Sequence, residues 1–179
     1  LATVEKLKVP PHSIEAEQSV LGGILLAERG FEEVADRLSE EDFYREDHRL
    51  IFQAVRDLHE SSRPCDAVTV SEWFESHGQA DQVDGGNYIS QLANNTPSAA
   101  NVGAYADIVR EKSVLRQLIG VANEIADNAF HTEGRESKDI LDEAERRVFA
   151  IAEQKTRGTG AQEIKSLLAK AAERLDTLY

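Results

Sequence analysis

Histidine and cysteine are the residue types in this chain that could most readily hold a metal or attack a substrate. The chain has five histidines and one cysteine. No two histidines stand four residues apart beside an acidic residue, and a single cysteine adds no second ligand. A lone histidine on the apolar face of a predicted helix, as at position 48, is interpreted as a hydrogen-bonded core or interface residue. The sequence therefore assigns no metal-binding role to His12, His48, His59, His77, His131 or Cys65.

Motifs for phosphate binding and nucleophilic catalysis are also absent from the sequence. The segment nearest to a P-loop, residues 158–166, has the wrong glycine spacing, and no strand is predicted before it. No Gly-x-Ser-x-Gly motif occurs. Clustered acidic residues such as Glu40, Glu41 and Asp42 are interpreted as solvated surface rather than as a catalytic pair. We expect no catalytic residue and no cofactor in this chain.

The composition describes an acidic globular protein of 179 residues with 41% hydrophobic and 30% charged residues. Aromatic residues make up only 6%, so the core is expected to consist mainly of Leu, Ile, Val and Ala. A net charge of −13 repels phosphate and argues against tight binding of nucleic acid. The weak basic clusters at Arg110, Lys112 and Arg116 and at Arg146 and Arg147 are interpreted as helical salt-bridge partners of nearby acids.

Cellular location and completeness are also expectations from composition. A single cysteine excludes an intrachain disulfide and fits a reducing cytoplasm, and no apolar run reaches membrane-spanning length. The chain contains no methionine, even at its first position, which predicts a piece of a longer protein. We expect a cytoplasmic protein with no membrane contact.

The spacing of apolar residues predicts an all-α fold that begins with a tail, residues 1–12, and a bundle of short helices, residues 13–98. Ser13 is the expected cap of the first helix, in which Gly22 and Gly23 mark a close approach to another backbone. Later helices are expected around residues 48–58, after a capping box formed by Thr69 and Glu72, and after residues 85–86. The segment 94–98 is expected to break the chain.

Residues 99–155 are predicted to form a long antiparallel helical hairpin. Apolar residues recur at helical spacing from about residue 101 to residue 130, and again after a turn at residues 131–135. The apolar band on the first helix is wider than one partner helix needs. A second copy of the hairpin could cover the excess, and packing on the bundle of the same chain is the alternative. We favour self-association.

The last segment, residues 156–179, is predicted to be a glycine-containing linker followed by a tethered amphipathic helix. Its apolar face is expected to dock on another surface, although a terminal helix that folds back on its own domain has the same pattern. The predicted docking residues are Ile164, Leu168, Ala171 and Leu175.

Several stretches resemble the DnaB family of bacterial replicative DNA helicases, in register over nearly the whole chain. They are Val9–Gly23 (VPPHSIEAEQSVLGG), Asp42–Tyr44 with His48–Phe52, Asn95–Asn101 with Ala104–Arg110, Val121–Ala126, and Ala144–Phe149. The resemblance implies the amino-terminal part of a hexameric, ATP-driven motor, without the domain that binds ATP, Mg and DNA. It also implies hairpins that pair between subunits as a trimer of dimers, and a linker helix that docks on a neighbouring motor domain.

The resemblance also implies partners: a second copy of the chain, the carboxy-terminal domain of DnaG primase, and a helicase loader. Our expectation is a non-catalytic module for oligomerisation and primase docking. The alternative is a collar that itself contacts single-stranded DNA, and an independent enzyme has no supporting motif. Candidate residues for the dimer or primase interface are Leu115, Leu118, Ile119, Ala122, Ile125 and Tyr88. For Tyr88, a core aromatic with a hydrogen-bonded hydroxyl is an equal alternative.

Overall fold

The chain folds into a bundle of helices from which a long helical hairpin projects, as a computed structural model of residues 8–27, 29–96 and 99–153 describes it. These residues contain no strand, which confirms the predicted all-α fold. None of their helices combines the length and apolar character needed to cross a membrane. The helices are α1 (Ile14–Leu26), α2 (Glu46–Glu60), α3 (Ala67–Ser76), α4 (Asn87–Asn95), α5 (Val102–Phe130) and α6, which is helical over 137–153.

Helix α1 is the centre of the bundle and contacts α2, α4 and α5. The Ser13 side chain accepts a hydrogen bond from the Ala16 amide, as predicted, and so satisfies one of the amides left free at a helix start. A Cβ atom on Gly22 would lie 2.5 Å from the Leu92 carbonyl oxygen. A Cβ atom on Gly23 would lie 2.2 Å from Val102 Cγ2. The paired glycines therefore allow α1 to pack closely against α4 and the start of α5, as predicted.

The core is mostly aliphatic, but phenylalanine occupies its centre. Phe43, Phe52 and Phe74 are among the largest fully buried side chains. The rings of Phe31 and Phe43 lie 5.5 and 5.0 Å from that of Phe52. A low overall aromatic content therefore does not show that these rings are concentrated at one place in the core.

The predicted capping box at Thr69 and Glu72 is wrong. Helix α3 begins three residues earlier, because the Asp66 carboxylate accepts hydrogen bonds from the Val68 and Thr69 amides, both at 2.9 Å. Thr69 Oγ1 in turn accepts from the Asp66 amide, which places Thr69 at the third helical position. Glu72 instead forms an ion pair with Arg63 at 3.9 Å. The predicted break at 94–98 also begins later, since α4 continues to Asn95.

Helices α5 and α6 form the predicted hairpin. Helix α5 has 29 residues, and the turn after it has left-handed backbone at Glu133 and Gly134. An ion pair between Glu124 on α5 and Arg147 on α6 joins the two helices. Helix α5 belongs to both parts of the molecule, because its first half also lies in the bundle core. A division of the chain between residues 98 and 99 therefore stays a prediction.

Candidate functional site

The outer part of the hairpin exposes apolar side chains that the bundle does not cover. On α5, Leu115, Leu118 and Ile119 are 37%, 40% and 47% exposed. Ala122 is also exposed and Ile125 is half-buried. These five residues, which we call the hairpin strip, recur at steps of three and four and therefore lie on one face of the helix. On α6, further exposed apolar residues are Leu141, Val148 and Phe149.

The contrast with the bundle is clearest for phenylalanine. Phe31, Phe43, Phe52 and Phe74 are buried in the core. Phe130 at the end of α5 and Phe149 on α6 are 84% and 64% exposed. An exposed ring of this size forgoes about 1.5–3 kcal/mol of burial free energy. A single copy of the described chain thus leaves two large aromatic side chains of the hairpin uncovered, outside the residues that the sequence predicts for the interface.

The bundle covers the first half of α5 but not the wide apolar band of its second half. Val102, Ala106 and Val109 pack into the bundle core. From Leu115 to Phe130, every residue is exposed or half-buried. The bundle therefore does not satisfy the hairpin strip. The interface itself stays a prediction, because the structure describes one copy.

Tyr88, the other candidate interface residue, is held by side chains of the bundle. Its hydroxyl accepts a hydrogen bond from Gln18 Nε2 at 3.1 Å and lies 2.7 Å from His48 Nε2. The guanidinium of Arg45 lies 5.1 Å from the centre of its ring. Tyr88 is half-buried and packs against the core. This is the geometry expected of a core aromatic with a satisfied hydroxyl, and a role in docking primase stays a prediction.

Behind Tyr88 lies a buried polar pair, His48 and Glu17, which are 0% and 1% exposed. His48 Nδ1 lies 2.6 Å from Glu17 Oε2, and the Tyr44 amide donates to Glu17 Oε1 at 2.7 Å. Because a carboxylate only accepts, Nδ1 carries the proton, and Nε2 of a neutral ring can then accept from the Tyr88 hydroxyl. His48 is thus the satisfied core histidine that the sequence predicts. Glu17 connects α1 to the start of α2.

A second buried carboxylate, Asp42, connects the bundle to α5. Asp42 is 2% exposed, and its Oδ1 accepts from Arg110 Nη1 and Ser113 Oγ, both at 2.6 Å. Its Oδ2 accepts from the Ser39 amide at 2.8 Å. The interpretation of residues 40–42 as solvated surface is therefore wrong for Asp42. The interpretation of Arg110 as a helical salt-bridge partner is also wrong, because its partner lies in another segment.

Arg116 makes a third connection, two turns further along α5. Its Nη1 donates to the Pro11 carbonyl at 2.7 Å, and its Nη2 donates to the Asp42 carbonyl. Its guanidinium lies 5.7 Å from the centre of the Tyr44 ring, on which His12 stacks at 4.3 Å. Burial lowers the pKa of Arg116, although the charges of nearby acids act in the opposite direction. Arg116 thus binds backbone carbonyls rather than a helical neighbour, contrary to the sequence interpretation.

The remaining basic cluster, on α6, is confirmed as helical pairing. Arg146 and Arg147 both form ion pairs with Glu143, one turn earlier. The hydrogen bond from Arg147 lowers the pKa of the Glu143 carboxyl, and charge from Arg146 acts in the same direction. These groups are solvent-exposed, so their contribution to stability is small.

The described residues contain a polar groove but no cluster of metal ligands. In residues 8–27, 29–96 and 99–153, no three of His, Cys, Asp and Glu come close enough together to hold a metal ion. A polar groove of about 170 Å³ runs between α1 and α4. It is lined by Glu15, Gln18, Ser19, Tyr88, Gln91, Leu92, Asn95 and Thr96. The predicted docking residues of the last helix, Ile164, Leu168, Ala171 and Leu175, lie outside the described residues.

A helical bundle with a projecting hairpin whose apolar face is uncovered is typical of domains that bind other polypeptides. The sequence model of the DnaB-like helicase N-terminal domain matches residues 9–111. This match covers more than half of the chain, which therefore belongs to that family.

Individual relatives agree with this assignment. The chain is 47% identical to the replicative DNA helicase DnaB of Haemophilus influenzae over 97% of its own length and 37% of that protein. It is 38% identical to that of Geobacillus stearothermophilus over 96% of its length and 37% of that protein. The chain thus spans little more than a third of the curated relatives it matches.

Solved structures match the fold as well. The crystal structure of the N-terminal domain of DnaB helicase from Mycobacterium tuberculosis has a TM-score of 0.76 and 36% identity, over 79% of this chain and 99% of that one. The corresponding domain from Helicobacter pylori, described together with its interactions with primase, has a TM-score of 0.55 and 30% identity. That match covers 65% of this chain and 90% of the other.

Proposed function

We propose that this chain is the non-catalytic part of a hexameric replicative DNA helicase that joins subunits and docks primase. The observation that supports this most directly is the hairpin strip, which stays exposed in a single copy. The family supports the helicase assignment, and the Helicobacter pylori domain, with its interactions with primase, supports the choice of partner. On this proposal the protein is cytoplasmic, and ATP, Mg, DNA and the loader bind to other parts of the helicase.

Symmetry and the extent of the apolar surface support self-association through the hairpin strip. A two-fold contact presents the same patch twice, so each apolar residue on the strip is buried in two copies. A specific dimer needs about 800 Å² of buried surface on each partner. Two long helices with exposed Leu, Ile, Val and Phe side chains offer an extended apolar surface for that purpose. We propose dimers through the strip and a trimer of such dimers in the hexamer.

The decisive variant is Ile119→Asp, because Ile119 is nearly half exposed and lies in the middle of the strip. Loss of the burial of its exposed half costs about 1 kcal/mol per copy, so a symmetric dimer loses at least about 2 kcal/mol, roughly thirtyfold in dissociation constant. Analytical ultracentrifugation of the 179-residue chain measures this loss. The matched control is Val68→Asp, which also places an acid at an exposed apolar position, but on α3 of the bundle.

Primase docking is tested with the same two variants and Ile125→Asp. We expect both strip variants to weaken binding of the primase carboxy-terminal domain, measured by biolayer interferometry, and Val68→Asp to leave it unchanged. Unchanged sedimentation together with unchanged primase affinity in both strip variants contradicts the proposal.

Contact with single-stranded DNA is the alternative outcome of the test. The net charge of −13 opposes it, since phosphate binding needs a basic surface. We expect no change in anisotropy of a fluorescent oligonucleotide at moderate salt. Binding that weakens steeply as salt rises would favour the DNA-contacting alternative.

A further inference from the structure

Helix α5 changes its surroundings abruptly near Arg116. Before this point, Val102, Ala106 and Val109 are almost fully buried in the core of the bundle. After it, every residue up to Phe130 is exposed or half-buried. The hydrogen bonds described beyond Arg116 stay within the hairpin, as between Arg147 and Glu124. The outer hairpin therefore projects away from the bundle.

The polar contacts at the base of the outer hairpin hold α5 to segments outside the helix. The Asp42 carboxylate binds Arg110 and Ser113, which lie one turn apart on the same face of α5. Arg116 then binds the carbonyl oxygens of Pro11 and Asp42, which come from two different segments. A guanidinium that donates to two fixed carbonyls restricts rotation more than an apolar contact does, because hydrogen bonds are directional.

We propose that Asp42 and Arg116 form a clamp that sets the direction of the hairpin relative to the bundle. Because the hairpin carries the strip, the clamp also determines the orientation in which the strips of two copies meet. This second consequence depends on the proposed assembly function, whereas the direction of the hairpin is a property of one copy.

A small rotation at the clamp becomes a large displacement at the tip of the hairpin. The 14 residues from Gln117 to Phe130 extend about 21 Å beyond it, at 1.5 Å per residue. A swing of about 10° at the clamp therefore moves the tip of the hairpin by roughly 4 Å, about the width of one apolar contact. Interlocking side chains on the strip cannot tolerate a displacement of that size without a loss of contacts.

The test measures the direction of the hairpin in single copies. Spin labels are attached at Val68→Cys on the bundle and Phe130→Cys at the hairpin tip, both exposed, in a Cys65→Ser background. Labelled protein is diluted with unlabelled protein, so that pulsed EPR records distances within one copy. We expect Arg116→Ala to shift or broaden the distance distribution by roughly 4 Å or more, the displacement that a swing of about 10° produces.

The matched control is Arg37→Ala. Arg37 also connects α5 to another segment, through Gly103 and the exposed Asp107, but near the start of the helix where the core already holds it. We expect its distance distribution to match that of the parent. Fluorescence of the single Trp73, buried in the bundle, reports whether each variant keeps the bundle folded.

Arg116→Met is the second variant. It keeps an unbranched apolar stem beside Tyr44 and removes both hydrogen bonds, so it separates packing from clamping. A shifted or broadened distribution with unchanged Trp73 emission supports the clamp. A distribution identical to that of the parent in a folded Arg116 variant overturns it. Failure of the assembly proposal would appear separately, as unchanged sedimentation of Ile119→Asp, and leaves the EPR result intact.

Discussion

Replacing Glu17 by alanine removes the acceptor at the centre of the buried polar network. Glu17 Oε1 accepts from the Tyr44 amide at 2.7 Å, and Oε2 accepts from His48 Nδ1 at 2.6 Å. His48 is fully buried, so water cannot reach its ring to replace the lost acceptor. The Glu17→Ala variant leaves these two donors without this acceptor, removes a longer contact of 3.5 Å from the Arg45 amide, and leaves a small void beside α2.

The magnitude follows from the burial of both partners. A buried donor left without a partner costs about 1–3 kcal/mol. The Tyr44 amide and His48 Nδ1 together therefore cost about 2–6 kcal/mol. For a domain of about 100 residues, 1 kcal/mol lowers the melting temperature by about 4–8 °C. We therefore expect the melting temperature of the bundle to fall by at least about 8 °C.

The assay is thermal unfolding followed by emission of the single Trp73, which is buried on α3 and reports the bundle alone. The control is Glu15→Ala, two residues earlier in the first turn of the same helix but exposed. Loss of that acid removes only a helix-dipole contact of about 0.3–1 kcal/mol. If the two variants unfold at the same temperature, the network does not stabilise the bundle and the reasoning is refuted.

Two further predictions use features of the bundle and of the hairpin. Gly22→Ala destabilises the bundle, because the new Cβ would lie 2.5 Å from the Leu92 carbonyl oxygen. Gly120 lies in open space, so Gly120→Ala stabilises α5 by about 0.5–1 kcal/mol. Thermal unfolding followed by circular dichroism should show the melting temperature shifting in opposite directions in the two variants. Burial, assisted by the charge of Asp66, raises the pKa of the Cys65 thiol, so the folded protein holds less thiolate at pH 8 than the unfolded chain. Iodoacetamide should alkylate Cys65 more slowly in the native protein than in urea. Equal rates in the two states would contradict a raised pKa of the thiol in the folded protein.

Helix positions were predictable from the sequence because apolar spacing reflects the period of the helix. The hairpin followed from a long uninterrupted pattern and a short turn, and α5 has the expected extent. The start of α3 was not predictable in the same way. Asp66 and Thr69 are both good caps and stand three residues apart, so the sequence offers two overlapping starts. The structure uses the earlier one, where the Asp66 carboxylate binds two amides.

Exposure of the hairpin strip was also predictable. The apolar band on α5 is wider than the surface that one packed helix, α6, covers, so part of the band must remain exposed. The buried carboxylates were not. Glu17 and Asp42 resemble the many surface acids of an acidic chain, and only partners distant in sequence show otherwise. Asp42 binds Arg110, 68 residues away, and no local pattern encodes such a pair. The clamp at the base of the hairpin was therefore invisible from the sequence.

The division of α5 between a buried half and a projecting half makes the length of this helix as important as its composition. Each residue of an α-helix turns the following side chains by about 100° and moves them by 1.5 Å. Inserting or deleting one residue between Arg116 and Leu118 would thus rotate the rest of the hairpin strip about the helix axis by about 100°, even with every apolar side chain retained. Substitutions change which side chains the strip presents, whereas changes of length alter the direction in which it faces.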